Sequence, residues 1–232
     1  MTILNLYPDL LHTNGCVGSA LALQSRLKWR DIDVEVPIFT TADKEFPSNS
    51  VDFMIIGDGT QRETSAVIRH LKAFAPQIKE YIEEGGVLFA SGSGFQILGA
   101  IGVLDITFTP AKSRIIGDIL VQTELFEEVI IGFENHATEI DIGDYQPLGK
   151  VMRGVGNSSE GERDGLIYKN IICTNAGGPT LAKNPQLCDY LIQKVVNVFT
   201  VLDDAIENEA RQFTLNFLEE TENSAQSKCI EI

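Results

Sequence analysis

Several features that mark whole classes of protein are missing from this sequence. No stretch reaches the roughly eighteen consecutive apolar residues that a membrane span needs, and the first ten residues lack the basic and apolar regions of a leader peptide. We therefore expect a cytoplasmic protein without membrane contact. The 4 cysteines form no CxxC pair, which gives no support for a zinc or thioredoxin motif. We expect reduced thiols, no metal and no cofactor.

Basic residues are also scarce. The chain has 18 lysines and arginines against 33 aspartates and glutamates, which gives a net charge of -15. A polyanion would be repelled by this charge, so nucleic acid is not an expected partner. Eight acidic residues but only two basic ones follow position 200. This segment is interpreted either as a solvated helical face or as a docking surface for a basic partner.

The order of elements indicates an α/β protein. Strand-like and helix-like runs alternate up to residue 100, which predicts a doubly wound, mostly parallel sheet flanked by helices. Short β-like runs follow, and we expect them to extend the sheet with antiparallel or mixed strands. The runs 184–200 and 203–221 have helical spacing. Residues 1–202 are therefore predicted to form one domain, and residues 203–232 an acidic C-terminal helix with a frayed tail.

The stretch "VLFASGSGFQILGA", residues 87–100, predicts a buried strand, a sharp turn and a helix. Turns of this kind hold the nucleophile in many α/β enzymes and need small residues two positions before and after it. Ala90 and Gly94 meet this need when the turn is centred on Gly92, whereas centring it on Ser93 would place Phe95 at a small-residue position. The turn is thus built around a residue that has no side chain.

Ligands of such sheets bind at the carboxyl ends of the parallel strands. The segments 57–64, 90–96 and 173–179 are expected to meet there. A phosphate loop is a poor match for the turn "SGSG", because Ile97 stands where the third glycine of GxGxxG belongs. The sequence therefore does not support a nucleotide site at this turn.

Seven ordered blocks of the chain carry a family resemblance. They are "ALALQSRLKWR", "IIGDGTQRE", "SGFQILG", "SRIIGDI", "GFENHAT", "PLGKVMRGVGNSSEGERDGLIYKN" and "GGPTLAKNPQLCDYL". With these blocks the chain resembles the class I glutamine amidotransferases of the CobB/CobQ-like branch, and within it the GatD-type subunits of lipid II isoglutaminyl synthases. The likeness runs from about residue 11 to about residue 200. It implies a three-layer α/β fold with a flavodoxin-like core.

The resemblance also implies a catalytic pair that this chain does not have. Family members release ammonia from glutamine with a cysteine at the tip of the turn and a histidine on a later loop. The matching positions here are Gly92 and Gly177. Losing the nucleophile of a triad enzyme lowers turnover by about six decades, or about 8 kcal/mol. No catalytic pair is therefore intact, and glutaminase activity of the family's type is not expected.

Substitute groups are weak candidates. Ser91 and Ser93 would need a base, and the three histidines are His12, His70 and His136. Cys16 aligns near a family aspartate and lies four residues from His12, but a pair without a third orienting group is a poor triad signal. A buried, unreactive thiol is the preferred interpretation of Cys16.

The binding architecture is expected to survive. The resemblance places one set of residues at the substrate: Gly57, Asp58, Gly59, Ser93, Gln96, Arg114 and His136. Arg114 matches the arginine that holds a substrate carboxylate, and a guanidinium suits such a group. His136 matches a site-shaping histidine. Asp58 departs from the family's glycine-rich loop, and its carboxylate should disfavour a bound anion unless the side chain turns away.

Three functions remain open from the sequence. The first is a pseudo-amidotransferase that binds or regulates a Mur-ligase-like synthetase. The second is an active amidotransferase subunit that supplies ammonia with a non-standard nucleophile. The third is a sensor of glutamine or a related small molecule that uses the altered pocket. The double loss at Gly92 and Gly177 favours the first.

Overall fold

The computed structural model describes residues 1–47 and 50–229, with side chains described up to residue 221. The chain divides into two units, Met1–Thr200 and Val201–Ile232. The predicted frayed tail falls on residues 222–232, whose side chains, and at 230–232 also the backbone, lie outside the described part.

The first unit is built on a six-stranded sheet with the order β2-β1-β3-β4-β10-β9. Its strands are β1 (Ile3–Leu6), β2 (Ile38–Phe39), β3 (Phe53–Ile56), β4 (Val87–Ser91), β9 (Leu166–Tyr168) and β10 (Ile171–Thr174). All pair in parallel except β9, which is antiparallel to β10. The order 2-1-3-4 is that of a flavodoxin-like sheet, so the predicted fold class is confirmed.

Helices cover both faces of this sheet. They are α1 (Val17–Lys28), α2 (Gln61–Leu71), α3 (Ala75–Glu83), α4 (Ser93–Ala100), α5 (Thr180–Lys183) and α6 (Pro185–Ile192). Helix α2 begins at a capping box, in which Thr60 and Glu63 each bind the other's backbone N–H. This cap fixes where the loop after β3 ends.

The core lies in two layers because alternate residues of each central strand point to opposite faces. Met54 and Ile56 of β3 pack with α2, α3 and α4, whereas Phe53 and Ile55 pack with α1, α5 and α6. All four are buried. The continuous apolar runs of the sequence therefore mark strands covered on both sides.

The antiparallel strands depart from the prediction. Only β9 joins the first sheet, and the others form a second sheet with the order β6-β5-β7-β8. These strands are β5 (Thr107–Thr123), β6 (Ile130–Asp141), β7 (Gly149–Arg153) and β8 (Arg163–Asp164). The prediction that they extend the parallel sheet is thus confirmed for β9 and wrong for β5 to β8, since a strand pattern records which residues are buried but not which strand is the neighbour.

Helix α6 is shorter than the helical run 184–200 predicts, because it ends at Ile192. The segment that follows Ile192 is bound by Arg30, which lies after α1. Arg30 Nε donates to the carbonyl of Thr200 at 2.7 Å. The Arg30 guanidinium also lies 4.3 Å from the ring centre of Phe199. These contacts hold the segment after Ile192 in a turn instead of a continuing helix.

The second unit contains helix α7 (Ala205–Cys229). At its start the Ala205 N–H donates to Oδ1 of Asp203 at 3.1 Å, and the Asn208 N–H donates to the backbone carbonyl of Asp204 at 2.9 Å, which is the ordinary bond of a first helical turn. None of the described helices has both the length and the apolar character needed to cross a membrane.

Candidate functional site

The turn between β4 and α4 has the shape of a nucleophile elbow. Gly92 has φ 57° and ψ -123°, a conformation that is strained for a residue with a side chain. Its N–H donates to the carbonyl of Thr174 at 2.9 Å, which ties the elbow to the end of β10. A Cβ atom on Gly94 would lie 2.7 Å from the carbonyl oxygen of Ile56. Only glycine therefore lets α4 approach β3 this closely.

The carboxylate of Asp58 lies at the tip of the elbow. Its Oδ1 accepts a hydrogen bond from the Ser93 N–H at 2.9 Å, and its Oδ2 accepts one from Asn14 Nδ2 at 2.6 Å. A Cβ atom on Gly92 would lie 2.6 Å from Asp58 Cγ and 2.7 Å from Oδ1. Asp58 has thus turned into the site, and it fills the volume that a nucleophile side chain would need.

Two asparagines connect Asp58 to Arg114. Asn14 Oδ1 accepts a hydrogen bond from Asn135 Nδ2 at 3.3 Å, and Asn135 Oδ1 accepts one from Arg114 Nε at 2.8 Å. Arg114 itself is exposed. Sequence reasoning missed Asn14 and Asn135. The one signal for Asn14 was its Thr-Asn-Gly context, because asparagine tolerates the left-handed backbone that this residue adopts, with φ 53°.

The loop after β3 packs against the loop after β1. The Asp58 N–H donates to Cys16 Sγ at 3.3 Å, and the Cys16 thiol donates to the carbonyl of Leu11 at 3.2 Å. A Cβ atom on Gly57 would lie 2.5 Å from Cys16 Sγ, so this contact requires glycine. Burial raises the pKa of the Cys16 thiol, which disfavours the thiolate that a nucleophile needs.

The hydroxyl of Ser93 also faces this loop. Its Oγ accepts a hydrogen bond from the Gly59 N–H at 2.8 Å, and the residue is 7% exposed. The segments after β3 and β4 therefore meet as the sheet topology predicts. Ser93 serves to join them.

Gly177, which the sequence resemblance aligns with the family's base, occupies the loop after β10. Its carbonyl accepts a hydrogen bond from the Phe133 N–H at 3.1 Å, and its own N–H donates to the carbonyl of Asn175 at 2.7 Å. A Cβ atom on Gly177 would lie 3.0 Å from the Phe133 oxygen. This contact is tight but requires only a small shift. A side chain therefore fits far better at Gly177 than at Gly92.

His136 lies in a buried pair with Glu134 on β6. Its Nε2 is 3.4 Å from Glu134 Oε2, and its Nδ1 is 2.9 Å from the carbonyl oxygen of Thr138. Glu134 also accepts the N–H groups of Val155 and Gly156 at 2.8 and 2.9 Å. Burial acts to lower the pKa of His136, but the bonds and charge of its partners outweigh it, and the pKa is raised.

Gln96 reaches the same part of β6. Its Nε2 donates to Thr138 Oγ1 at 2.7 Å, so Gln96 and His136 meet at Thr138. The predicted site residues therefore form two groups. Asp58, Ser93 and Arg114 belong to the hydrogen-bonded chain at the elbow. Gln96 joins α4 to β6 through Thr138, and His136 binds the same Thr138 from within β6.

A further buried carboxylate, which the sequence did not reveal, supports the loop after β10. Asp164 is fully buried, and it accepts hydrogen bonds from the Thr174 hydroxyl and, at 3.1 Å, from the Asn175 N–H. Burial raises the pKa of Asp164. The Asn175 side chain donates in turn to Asn157 Oδ1 at 3.0 Å. This network fixes the loop that carries Gly177.

Other binding features lie away from the elbow. In the described part of the chain, no three histidine, cysteine or acidic side chains are grouped so that they could hold a metal ion. A cavity of about 580 Å³ lies between residues 122–125, 146–150 and 161–163. None of these residues belongs to the elbow or to its hydrogen-bonded chain.

Comparison with known proteins identifies the family that these features fit. The model of the CobB/CobQ-like glutamine amidotransferase domain matches residues 27–185. The lipid II isoglutaminyl synthase (glutamine-hydrolyzing) subunit GatD of Staphylococcus aureus is 32% identical over 84% of this chain and 84% of its own length. The subunit of the same name from Streptococcus pneumoniae is 34% identical over 83% of this chain and 79% of its own length.

Solved structures share the fold. PurLQS from Thermotoga maritima matches with a TM-score of 0.58 at 18% identity, covering 84% of this chain and 97% of that one. A glutamine amidotransferase from the same organism matches with a TM-score of 0.53 at 15% identity, covering 75% and 74% of the two chains. At these identities the likeness concerns the fold alone.

Proposed function

Since the chain belongs to the family of CobB/CobQ-like glutamine amidotransferases, we propose that it is a GatD-like pseudo-amidotransferase, which has lost glutamine hydrolysis and acts as a binding or regulatory subunit. One observation carries the proposal: the Asp58 carboxylate fills the space of a nucleophile side chain at Gly92. The same carboxylate takes up the Ser93 N–H, a donor placed to stabilise an oxyanion. The elbow thus offers neither an attacking group nor a free donor at Ser93.

The proposed partner is a Mur-ligase-like synthetase. The relatives from Staphylococcus aureus and Streptococcus pneumoniae are named as subunits of lipid II isoglutaminyl synthase, which supports an assembly with a synthetase subunit. By this analogy the complex acts on a peptidoglycan precursor. The proposal places it in the cytoplasm, in line with the free thiols of Cys16 and Cys173.

The test is a glutaminase assay. The purified chain, alone and with any Mur-ligase-like synthetase encoded beside it, is incubated with glutamine, and glutamate release is followed over time. We expect release at the uncatalysed background in both cases. Sustained turnover would overturn the proposal and favour an amidotransferase with another nucleophile. Copurification of the chain with the synthetase, in equal amounts by gel filtration, is the expected sign of a subunit.

A small-molecule sensor is a second candidate, which the exposed guanidinium of Arg114 favours. An α-carboxylate of glutamine or a related compound could pair with it. Calorimetric titration with glutamine distinguishes this function, because a sensor binds the ligand without a protein partner. Binding lost in Arg114→Lys, which keeps the charge but not the planar fork, would support a sensor.

A further inference from the structure

Helix α7 presents an apolar stripe to solvent. Ile206, Phe213 and Phe217 are 79%, 74% and 56% exposed, and the exposed Ala210 lies between them. The spacings of four, three and four residues place all four on one face of the helix. Arg211 and Leu218, which are buried, lie on a different face. The stripe is therefore additional to the buried face of the same helix.

The stripe is bordered by negative charge. Residues 201–221 contain six carboxylates and one basic residue, Arg211. Glu209 is three residues after Ile206 and four before Phe213, and Glu220 is three after Phe217, so both lie beside the stripe. An apolar surface rimmed by polar groups is typical of a site for another molecule, and aromatic side chains dominate the centres of such sites.

We propose that the stripe of Ile206, Ala210, Phe213 and Phe217 binds a partner protein through a segment that is apolar on one side and carries lysine or arginine beside it. The charge of the surroundings decides among the occupants. A second copy of α7 would bring carboxylates against carboxylates on a chain of net charge -15. An anionic membrane surface would be repelled for the same reason. A cationic amphipathic helix satisfies both the apolar and the acidic parts of the surface.

The inference concerns a surface remote in sequence from the elbow, and it holds whether or not the elbow hydrolyses glutamine. The probe is a labelled synthetic helix with leucine on one face and lysine on the other, titrated with the full chain by fluorescence anisotropy. A peptide of the same composition in scrambled order and a leucine/glutamate helix serve as control probes. The protein variants are Phe213→Ser with Phe217→Ser, and Glu209→Gln with Glu220→Gln.

A matched control pair removes apolar surface elsewhere. Ile116 and Met152, on β5 and β7, are 62% and 60% exposed, so Ile116→Ser with Met152→Ser deletes comparable side chains. We expect the phenylalanine pair to weaken binding of the leucine/lysine helix at least tenfold. The glutamate pair should weaken it about threefold and reduce its salt dependence. The control pair should bind like wild type, and circular dichroism should show equal helix content in all variants.

Other results would overturn the inference. These are failure of the wild-type chain to bind the leucine/lysine helix, equal binding of either control probe, or equal binding by the phenylalanine pair. Sedimentation velocity provides a separate check: a dimer that the phenylalanine pair abolishes would assign the stripe to a second copy. Binding to phosphatidylglycerol vesicles that the same pair abolishes would assign it to a membrane.

Discussion

A Cβ atom on Gly92 would lie 2.6 Å from Cγ of Asp58, a separation that real side chains do not adopt. The carboxylate is held there by the Ser93 N–H and the Asn14 amide, at 2.9 and 2.6 Å. In this position the carboxylate and a side chain at residue 92 exclude each other, so a cysteine at residue 92 requires Asp58 to move or to be replaced.

Restoring the catalytic pair should fail unless Asp58 is also removed. We expect Gly92→Cys with Gly177→His to release no glutamate above background, because the cysteine overlaps the carboxylate and Ser93 remains occupied. Adding Asp58→Gly clears both obstacles, and we expect measurable turnover, at least one hundredfold above the double variant. The measurement is glutamate release under saturating glutamine.

The control for this experiment is Asp58→Gly with Gly177→His, which clears the elbow without supplying a nucleophile and should stay at background. Equal activity in the double and triple variants would show that Asp58 does not block the elbow.

Asp58 should also contribute to stability. Asp58→Ala leaves the Ser93 N–H and the Asn14 amide without their charged acceptor, and we expect it to lower the free energy of unfolding by about 2 kcal/mol. Urea denaturation followed by circular dichroism measures the change. Asp118→Ala, at an exposed position of β5, is the control and should unfold like wild type. A stability of Asp58→Ala equal to that of the control would contradict a structural role for the hydrogen-bonded chain.

The Glu134–His136 pair should make stability depend on pH. The pKa of His136 is raised above its ordinary value of 6.5, so the folded chain binds this proton more tightly than the unfolded chain. The resulting stabilisation is fully present below pH 6.5 and is lost as the pH rises through the folded pKa. We expect the difference in unfolding free energy between wild type and His136→Gln to fall by up to about 1.4 kcal/mol per pH unit.

The difference from His136→Gln isolates this effect from Asp164, whose pKa is also raised, above 3.8. His12→Gln, at an exposed histidine, is the control. A difference curve that is flat from pH 6 to 9, or that rises with pH, would show that His136 is not held in its charged form by Glu134.

A second charged cluster, formed by Asp189, Arg26 and Arg30, should contribute more to the free energy of unfolding than the Glu134–His136 pair. Asp189 on α6 accepts hydrogen bonds from Arg26 at 2.6 Å and from Arg30 at 2.7 Å, and both arginines are buried. Asp189→Ala leaves two buried guanidinium groups without this acceptor, and we expect a loss of about 3 to 5 kcal/mol in thermal or urea unfolding. Glu83→Ala breaks the exposed pair with Lys169 and should change the midpoint little.

How far the sequence determines the site can be judged from particular residues. The elbow at Gly92 was predictable, because only small residues fit two positions before and after the tip of such a turn. The inward turn of Asp58 was not, since it depends on Asn14, which lies 44 residues earlier in the chain. Periodicity is a local signal, and it carries no information about a partner on another loop.

The fold also has one part that the sequence predicts and another that it does not. The βα alternation up to residue 100 predicts the parallel sheet, because strands buried on both faces have continuous apolar runs. The second sheet was missed, since the short β-like runs after residue 100 were expected to extend the first sheet, whereas Thr107–Thr123 is one long strand of another sheet. Which sheet a strand joins depends on the strand that it pairs with. Thr107 pairs with Asp141 and Val121 with Ile130, and a prediction from local sequence patterns does not include these pairings.

The overlap of the Asp58 carboxylate with a side chain at residue 92 couples the two positions. The effect of a substitution at residue 92 therefore depends on the residue at position 58, and the two effects do not add. A screen that varies residue 92 alone tests each new side chain against an occupied space, whereas a screen that varies residues 58 and 92 together does not.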